Sequence, residues 1–570
     1  MHVATTRRHY KGKVYQTHLL RRSYRQDGKV KHETLANLSH LPAEAIELVR
    51  RTLKGETFVA AADAFQVTRS LPHGHVALVW QAARQLGLPG LLGPRGRLRD
   101  LAMALVVARV VKPGSKLATT RWWADTTLAA DLGVADASTD EVYAAMDWLA
   151  GRQDRIQRQL ARRHLEPGGL ALFDLSSSYV EGRHCELAAR GYSRDQKVGK
   201  DQIEYGLLTD PQGRPVAVEV VAGNTADPTA FTKVVERIRA KFGLAELVLV
   251  GDRGMITSAR VEALRELGGV GWITCLRAAQ IRQLATDGPL QLSLFDQTSL
   301  AEITHPDFPG ERLVCCRNPA LATERARKRV ELLAATEAEL DKVARLVAAG
   351  RLKGAAKVGV RIGKVLAKFK VAKHFDLQIS DTTFTYARRG DQIAAEAALD
   401  GIYVVRTSVA ADRLDPPGVV EAYKQLAGVE RDFRSLKTID LELRPIWHRL
   451  DGRVRAHVLM CMLACYLAWH LRRALAPLTF TDEQPRERPD PVAPAQRSAD
   501  AAAKASRRRL ADDTPAHSFR TLLDHLGTLV RDEVEFTDPT GATIHKLTSP
   551  TPTQRQAFEL VGAPIPLALT

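Results

Sequence analysis

Three acidic residues lie next to segments that are predicted to be buried: Asp174, Asp252 and Glu430. The runs LALF and LVLVG precede the two aspartates and are typical of buried strands, and Glu430 borders the apolar stripe of a predicted helix. Carboxylates that meet raise one another's pKa, so such a group requires bound cations. An all-oxygen site favours Mg²⁺ or Mn²⁺. Two such ions, about 3.5 to 4 Å apart, stabilise the attacking and leaving oxygens of an in-line phosphoryl displacement.

Glu430 lies in the segment VVEAYKQLAGVERDFRSLK, residues 419–437, which is predicted to form one helix beginning after the sequence PPG. Its apolar positions recur at spacings of three, four and seven residues: Val419, Leu426, Val429, Phe433 and Leu436. Taken alone, the helix favours a simpler interpretation, in which Glu430 extends to solvent and pairs with Arg434. The rest of the chain favours a metal-binding role instead.

The positions of Asp174 and Asp252 follow from a predicted mixed sheet. From residue 168 the pattern gives three strands, a helix, a strand, a helix and a strand, which is the order of an RNase H-like α/β fold. Asp174 is predicted to end the first strand and Asp252 the fourth. Because these strands lie side by side in that topology, the two carboxylates are expected to meet at one sheet edge, with the Glu430 helix packed across it.

The composition indicates a folded, basic protein of several domains. Its 570 residues include 82 Lys and Arg against 65 Asp and Glu, a formal net charge of +17 that points to a polyanion such as nucleic acid. The N-terminus lacks the apolar segment of a secretion signal, and the apolar run at residues 458–471 is too short to cross a membrane. The six cysteines show no CxxC pair or zinc spacing, which favours a reducing, cytoplasmic location without a structural metal.

Changes of pattern along the chain predict a catalytic core that is interrupted by an insertion and preceded by a basic region and a helical domain. A stretch rich in Pro, Ala, Arg and Asp is expected to be disordered. The predicted regions are a basic strand and hairpin region at 1–70, a helical DNA-binding domain at 71–165, the first part of the core at 166–277, an insertion domain at 278–399, the second part of the core at 400–476, a disordered linker at 477–515 and a C-terminal subdomain at 516–570.

Three charged regions have more than one interpretation. Around a predicted Asp-Gly turn, two basic strands that include Arg21 and Arg22 suit either a phosphate backbone or a solvated surface. The charged run at 322–350 lacks sustained heptads, which favours a solvated helix over a coiled coil. After it, lysines including Lys368 and Lys370 alternate with two phenylalanines. This pattern suits a strand backbone or a flipped base, or equally a basic surface over two core aromatics.

The chain resembles the DDE transposases of bacterial insertion sequences, in the branch with a β-rich insertion before the catalytic Glu. The resemblance extends over most of the chain, and its most specific segments are LFDLSSSYVEG, GNTADPTAF, VLVGDRGM, DGIYVVRTS and YKQLAGVERDFRSLK. The metal-binding acids of the family fall on Asp174, Asp252 and Glu430. The resemblance therefore implies a DNA-cleaving enzyme that uses two Mg²⁺ or Mn²⁺ ions per active site.

The resemblance also implies DNA contacts around Glu430. The family signature of Tyr, two residues, Arg, three residues, Glu, six residues, Lys maps onto Tyr423, Leu426, Glu430 and Lys437, and its Tyr, Arg and Lys contact phosphates near the transposon end. Leu426 departs from the signature, so that contact is absent or is supplied by a neighbouring cation. The residues predicted to bind DNA are Tyr423, Lys424, Arg431, Arg434, Lys437, Arg253, Lys368, Lys370, Arg21 and Arg22.

The expected function is that of a bacterial, nucleoid-associated transposase. It would bind the terminal repeats of its element as a homodimer, hydrolyse the phosphodiester at each end and join the freed 3′-OH to target DNA. Two alternatives are an RNase H-type nuclease without strand transfer and a transposase-derived DNA-binding protein that no longer cleaves. The positive charge and long basic N-terminal region favour the transposase over the nuclease, and the presence of all three acids disfavours the silent protein.

Overall fold

The computed structural model describes most of the chain, in two compact units. The described residues are 1–58, 64–191, 195, 197, 199–224, 228–243, 246–484, 490–537 and 541–569, without the side chains of 228–231, 233 and 234. The first unit combines Met1–Ser70 with Arg531–Thr548, and the second combines Leu71–Val530 with Ser549–Thr570. Residues distant in sequence therefore contribute to each unit.

The strands, in chain order, are β1 (His2–Tyr10), β2 (Lys13–Gln26), β3 (Lys29–Asn37), β4 (Phe65–Pro72), β5 (Leu170–Tyr179), β6 (Gln202–Thr209), β7 (Pro215–Ala222), β8 (Leu247–Val250), β9 (Val270–Cys275), β10 (Leu300–Ile303), β11 (Arg312–Arg317), β12 (Phe375–Ile379), β13 (Phe384–Arg388), β14 (Ile402–Thr407), β15 (Val530–Phe536) and β16 (Thr543–Leu547).

The helices are α1 (Ala43–Thr52), α2 (Gly74–Gln85), α3 (Leu88–Leu92), α4 (Arg97–Val111), α5 (Lys116–Ala124), α6 (Thr127–Asp131), α7 (Thr139–Ala150), α8 (Gln153–His164), α9 (Pro228–Phe242), α10 (Ser258–Leu267), α11 (Ala278–Thr286), α12 (Pro319–Ala348), α13 (Ala355–Phe369), α14 (Gly390–Ala397), α15 (Pro416–Lys424), α16 (Leu426–Arg434), α17 (Asp451–Ala474), α18 (Ala499–Arg507), α19 (Phe519–Gly527) and α20 (Pro552–Val561).

The first unit contains two small sheets. Strands β1, β2 and β3 form an antiparallel sheet in that order, and β4 pairs with β15, which in turn pairs with β16. The predicted hairpin is present, because β2 and β3 are joined through Asp27 and Gly28, both with positive φ (50° and 76°). Two left-handed residues match the turn that suits the twist of adjacent strands. Strand β1, which the sequence pattern did not predict, extends this hairpin to three strands.

The second unit begins with helices α2 to α8 and continues into an eight-stranded mixed sheet. The strand order is β10-β11-β14-β9-β8-β5-β6-β7. Strands β5, β8 and β9 are parallel neighbours, and the other pairs are antiparallel. The predicted mixed α/β sheet is thus confirmed, and β5 to β9 with α9 and α10 follow the predicted element order. Strands β10, β11 and β14 extend the sheet beyond that prediction.

Helix α17 forms a large part of the core beside this sheet. It is long and apolar enough to cross a membrane by length and composition, yet 83% of its most apolar 18-residue window is buried inside the protein. That burial agrees with the predicted core helix. Its two cysteines, Cys461 and Cys465, are buried free thiols, as predicted. Burial raises the pKa of both thiols, so they stay protonated.

The predicted insertion, residues 278–399, is largely helical, which corrects the expectation of a β-rich insertion. Helix α12 spans 30 residues and packs against α13 through a shared apolar cluster that includes Leu340, Val343 and Val358. Strands β12 and β13 form a two-stranded sheet beside them, and β10 and β11 belong to the eight-stranded sheet instead. The buried residues of α12 recur at intervals of three or four residues rather than at every second residue, which is the period of a helix and not of a strand.

Two further segments differ from their predicted character. Within 477–515, where composition predicts a disordered linker, helix α18 begins at a Ser498 cap whose hydroxyl accepts a hydrogen bond from the N–H of Ala501. The C-terminal residues, predicted as one subdomain, divide between the two units, because β15 pairs with β4 while α19 and α20 belong to the second unit. In both cases the deciding contacts are distant in sequence.

Candidate active site

The register of the central sheet places Asp174 beside Asp252. Strand β5 pairs in parallel with β8 as far as Leu172 opposite Val250, and each aspartate lies two residues beyond that last pair along its own segment. Neighbouring strands are about 4.8 Å apart, so the two backbones leave the parallel ladder at the same level. Asp174 was predicted to end its strand, and this is wrong, because β5 continues to Tyr179 in antiparallel pairing with β6. It lies instead where parallel pairing stops.

Asp252 is held by the backbone that follows it. Its Oδ1 accepts hydrogen bonds from the N–H groups of Gly254 (3.0 Å) and Met255 (2.6 Å). A Cβ added at Gly254 would lie 3.4 Å from Oδ1 and 3.5 Å from Oδ2 of the same carboxylate, which is ordinary van der Waals contact. In the described part of the chain, Oδ2 of Asp252 accepts no hydrogen bond. One oxygen is therefore oriented by the loop and the other is available to a ligand.

The segment predicted as one helix is two helices followed by a π-helical turn. Helix α15 begins at Pro416, where the Asp415 side chain accepts a hydrogen bond from the N–H of Gly418 (2.9 Å). The chain tightens at Gln425, whose carbonyl accepts a hydrogen bond from the N–H of Gly428 (2.8 Å), and α16 begins there. An i to i+3 bond of this kind is the 3₁₀ pattern, which interrupts the α-helical ladder. The π-turn Ser435–Ile439 follows.

The predicted apolar stripe is buried nonetheless. All of its members are at most 8% exposed: Val419, Leu426, Val429, Phe433 and Leu436. The Phe433 ring meets Tyr205 of β6 with centroids 5.8 Å apart, which fixes α16 against the sheet. Leu426, which departs from the family signature, is thus a core residue in this chain. An arginine with the same orientation would bury its charge, so the departure fits the local packing.

Glu430 is exposed on α16, and in the described part of the chain its carboxylate has no hydrogen bond or ion pair. The alternative in which it pairs with Arg434 is therefore not observed. Glu430 and Asp252 line the same cavity, which has a volume of about 980 Å³. Asp174, on the adjoining strand, is not among the residues that line it. Two of the three predicted acids therefore share one cavity, and the third is placed next to Asp252 by the strand register.

The three acids do not form a compact cluster. Among the described residues, one group of at least three possible metal ligands has all its ligand atoms within 4.8 Å of one another, and it consists of Asp287, His305 and Asp307. His305 lies 3.8 Å from each aspartate carboxylate. The ligand atoms of Asp174, Asp252 and Glu430 do not all lie within 4.8 Å of one another.

Cations surround the shared cavity, and most of them already have partners. Lys328 pairs with Glu324 (3.0 Å), and Arg329 pairs with Asp400. In the described part of the chain, Arg253, Arg282 and Lys370 have no such partner. The cationic lining residues are Arg253, Arg282, Arg325, Lys328, Arg329, Lys370, Lys373 and Lys424. Four of these cations were not predicted from the sequence, because nothing in their spacing relates them to acids 30 or more residues away: Arg282, Arg325, Lys328 and Arg329.

Two buried groups on the cavity wall are held in their neutral forms. The Tyr423 hydroxyl and the Cys275 thiol are joined by a hydrogen bond, and burial raises the pKa of Cys275 to about 12. Burial, reinforced by Cys275 and Asp252, also raises the pKa of Tyr423. Neither side chain ionises near neutral pH, so neither supplies an anionic nucleophile to this cavity.

Two of the predicted DNA contacts have other partners. Lys437, on the π-turn, forms an ion pair with Asp195 (2.9 Å), whose side chain is 2% exposed and also pairs with Arg444. The Lys424 ammonium donates to the carbonyls of Pro491 and Ala493. Both lysines therefore stabilise the local structure. Sequence analysis missed Asp195, and its position 242 residues before Lys437 gives no local signal.

The remaining predicted contacts lie on exposed surfaces. Arg431 and Arg434 are exposed on α16, and Lys368 lies 4.9 Å above the ring of Phe369 on α13. In the first unit, Arg21 is half-buried and Arg22 is exposed on β2, 4.0 Å from Glu33. These side chains are accessible to a large anionic partner.

Asp432 is a further acid of α16 that the sequence gave no reason to notice. Its Oδ2 atom is buried without a hydrogen bond in the described part of the chain. Burial raises the pKa of Asp432 to about 7, against the opposing effect of Arg431 and Arg472. A proton therefore compensates this carboxylate over part of the physiological pH range.

Comparison with known proteins gives two family matches. Residues 3–63 match the IS1634 family transposase, N-terminal domain, and residues 170–468 match the transposase DDE domain, which is 299 of the 570 residues. No match was found among curated proteins.

Two solved structures are similar at low identity. A piggyBac transposase synaptic complex with hairpin DNA aligns with a TM-score of 0.33 and 9% identity, covering 79% of this chain and 76% of that one. A Mos1 transposase paired-end complex with the left transposon end aligns with a TM-score of 0.14 and 12% identity, covering 37% of this chain and 79% of that one.

Proposed function

The chain belongs to the DDE transposases, and from this premise we propose that it cuts and joins DNA with Asp174, Asp252 and Glu430. The proposed reaction is metal-dependent hydrolysis of a phosphodiester at each end of its element, followed by transfer of the 3′-OH strands to target DNA. The observation that carries the proposal is the convergence at the sheet edge, where Asp174 and Asp252 are level on adjacent strands and Glu430 shares the cavity of Asp252.

An RNase H-like core is part of the proposal. The order β7-β6-β5-β8-β9, with β5, β8 and β9 parallel, agrees with the element order from which this fold was inferred. Asp174 within β5, Asp252 just after β8 and Glu430 on α16 are then three separate ligands on or beside rigid elements. A site built on strands and helices holds its geometry more accurately than one built on loops.

The residues present suit two divalent cations. The donors are carboxylate oxygens, which Mg²⁺ and Mn²⁺ prefer, and neither Glu430 nor Oδ2 of Asp252 has a competing partner in the described part of the chain. We assign Asp174, Asp252 and Glu430 as the ligands. When bound, such ions activate a water or a 3′-hydroxyl and take up charge on the leaving oxygen.

The chain's own residues bind and orient the DNA. Arg253, Arg282 and Lys370 bring positive charge to the cavity that contains Asp252 and Glu430. Guanidinium and ammonium groups without acidic partners suit phosphate oxygens, which the acids alone would repel. Because burial keeps Tyr423 and Cys275 neutral, we assign water or a DNA hydroxyl, rather than either of these side chains, as the nucleophile.

The proposed partner is double-stranded DNA, both the terminal inverted repeats and the target. A homodimer in the DNA complex follows from the proposed reaction, because two ends must be held together to be joined to one target. The net charge of +17 supports a polyanionic partner.

The test is a cleavage and joining assay on DNA that carries the borders of the element, with Mg²⁺. We expect Asp174→Asn, Asp252→Asn and Glu430→Gln to abolish both products, while the matched control Glu421→Gln, an exposed glutamate on α15, keeps them. Equal activity of all these proteins would refute the assignment. Cleavage without joined product would identify a nuclease, and wild-type protein that binds but never cuts would identify a silent DNA-binding protein.

A further inference from the structure

Helices α12 and α13 carry their charges in different ways. Helix α12 contains five acids and six bases, and many of them are paired, as in Arg327 with Glu324 (2.8 Å) and Lys342 with Glu339 (2.7 Å). Helix α13 contains four bases and no acid: Lys357, Arg361, Lys364 and Lys368. All four are exposed, and none has an ion pair in the described part of the chain.

The four bases of α13 form one stripe. Their spacings of four, three and four residues place them on the same side of the helix. The buried residues Val358, Ile362 and Val365 lie on another side and pack in the apolar cluster shared with α12. Helix α12 therefore acts as the support, and α13 presents its cations to solvent. The stripe spans eleven residues, about 16 Å at 1.5 Å per residue.

The stripe leads toward the candidate active site. The last residue of α13, Phe369, and the following Lys370 line the cavity that contains Asp252 and Glu430. Glu339 of α12, on which Arg361 and Lys368 act electrostatically, is already bonded to Lys342. Among the described residues, no acid forms an ion pair with the four bases of α13, so their charge is open to an external anion.

We infer that α13 is a backbone-binding track for duplex DNA, which lies along the stripe and enters the cavity at its Lys370 end. A length of about 16 Å corresponds to about five base pairs, because a B-DNA strand carries one phosphate per 3.4 Å of axis. The contact is independent of base sequence, since lysines on phosphates position DNA without reading it. This inference rests on the proposed function in one respect, that the bound duplex is the one whose phosphate reaches the acids.

Salt dependence of binding tests the track. Full-length protein with Asp252→Asn, which separates binding from cleavage, is titrated with a duplex of about 40 base pairs of arbitrary sequence at several salt concentrations. One variant adds Lys357→Gln, Arg361→Gln and Lys364→Gln. Its control adds three substitutions on α12, Arg327→Gln, Lys342→Gln and Arg345→Gln, which change the net charge by the same amount.

Each phosphate contact contributes about 0.9 to the slope of log affinity against log salt, so the α13 variant is expected to lose about 2 to 3 from that slope. The α12 control is expected to lose less than about 1. Equal losses, or an unchanged slope in the α13 variant, would overturn the track and leave α13 as a surface for an acidic protein segment. Thermal unfolding of both variants checks that the fold is intact.

The same experiment separates the track from the catalytic proposal. A reduced slope in the α13 variant together with wild-type protein that never cleaves supports the track and refutes the catalysis. Normal Mg²⁺-dependent cleavage together with an unchanged slope refutes the track and leaves the catalysis in place. Absence of DNA binding by every protein refutes both.

Discussion

One group of possible metal ligands is compact and consists of Asp287, His305 and Asp307. The three predicted catalytic acids are instead dispersed over two neighbouring strand segments and a helix: Asp174, Asp252 and Glu430. In the compact group, His305 lies 3.8 Å from both aspartates, which are 41% and 56% exposed. Both aspartates are open to solvent, and Nδ1 of His305 accepts a hydrogen bond from the N–H of Asp307 (3.2 Å). In the dispersed group, Glu430 and one oxygen of Asp252 have no such partner in the described part of the chain.

Two other acids complete the comparison. Asp195 is compensated by the cations Lys437 and Arg444, and Asp432 is compensated by a proton, since burial raises its pKa to about 7. An acid in a folded protein needs a cation, a proton or solvent. Glu430 is also exposed to solvent, so the two groups differ mainly in their surroundings: Asp252 and Glu430 share a cavity with cations that have no acidic partner in the described part of the chain.

The largest expected effect separates the two groups directly. Asp252→Asn should lower the cleavage rate by about 10³-fold or more, because loss of a metal ligand removes several kcal/mol of transition-state stabilisation. Combined Asp287→Asn, His305→Ala and Asp307→Asn should leave the rate within about threefold of wild type. Single-turnover cleavage measures both. The reverse result would make the compact group the catalytic one.

Polypeptide cleavage by bound iron locates the metal sites without measuring DNA cleavage. With added ascorbate and hydrogen peroxide, Fe²⁺ placed in Mg²⁺ sites reduces the peroxide to hydroxyl radicals that cut the nearby polypeptide, so cleavage fragments should end near residues 174, 252 and 430. Excess Mg²⁺ should suppress the cuts, and Glu430→Gln should weaken them. Cuts confined to residues 287–307 would contradict the ligand assignment.

The second effect concerns the proton of Asp432. Its pKa of about 7 in the folded chain exceeds the ordinary value near 3.9, so the folded state keeps the proton while the unfolded state loses it. Stability therefore falls as pH rises between about 4 and 7, by at most about 4 kcal/mol. Asp432→Asn removes this cost, so its melting temperature relative to wild type should be higher at pH 8 than at pH 4.5. An equal difference at both pH values would show that Asp432 ionises normally.

A third and smaller effect concerns the cations of Asp195. Lys437→Met leaves Arg444 and the N–H of Tyr179 as partners of a carboxylate that is 2% exposed, which should cost about 1 to 3 kcal/mol of unfolding free energy. Arg434→Gln, at an exposed position without an ion pair in the described residues, should change it by less than about 0.5 kcal/mol. Urea denaturation measures both. If the two variants are equally stable, Lys437 is free to bind DNA as predicted.

The smallest expected effect is that of single cavity cations. Arg253→Ala, Arg282→Ala or Lys370→Ala should each lower kcat/KM for cleavage about tenfold, or about 1.4 kcal/mol, by removing one phosphate contact. Lys342→Ala, whose ammonium is already bonded to Glu339, serves as the paired control and should have little effect. A similar loss in all four variants would mean that pairing does not decide which cations bind DNA.

Local pattern predicted much of the framework of the site. The alternation and apolar runs around Asp174 and Asp252 identified β5 and β8, and the stripe from Val419 to Leu436 identified the buried face of the Glu430 helices. These features depend on residues close in sequence, whose spacing reflects which face is buried.

Most of the features that the sequence did not predict depend on distant contacts. The pairing of Lys437 with Asp195 and the addition of β10 to the main sheet both involve packing between remote segments. The same limit explains why Arg282 was missed, since its importance comes only from the cavity it lines. The interruption at Gln425 is a local i to i+3 bond, which the apolar periodicity alone does not reveal. Periodicity identifies a buried face but not the partner that covers it.

The pairing of β4 with β15 has a consequence for how this protein is made. Strand β4 leaves the ribosome early, yet in the described residues its sheet is completed only by β15 and β16, which are synthesised more than 450 residues later. A nascent or prematurely terminated chain therefore lacks two strands of the first unit while its β1 to β3 sheet is already complete. Full assembly of that unit reports that translation has passed residue 547.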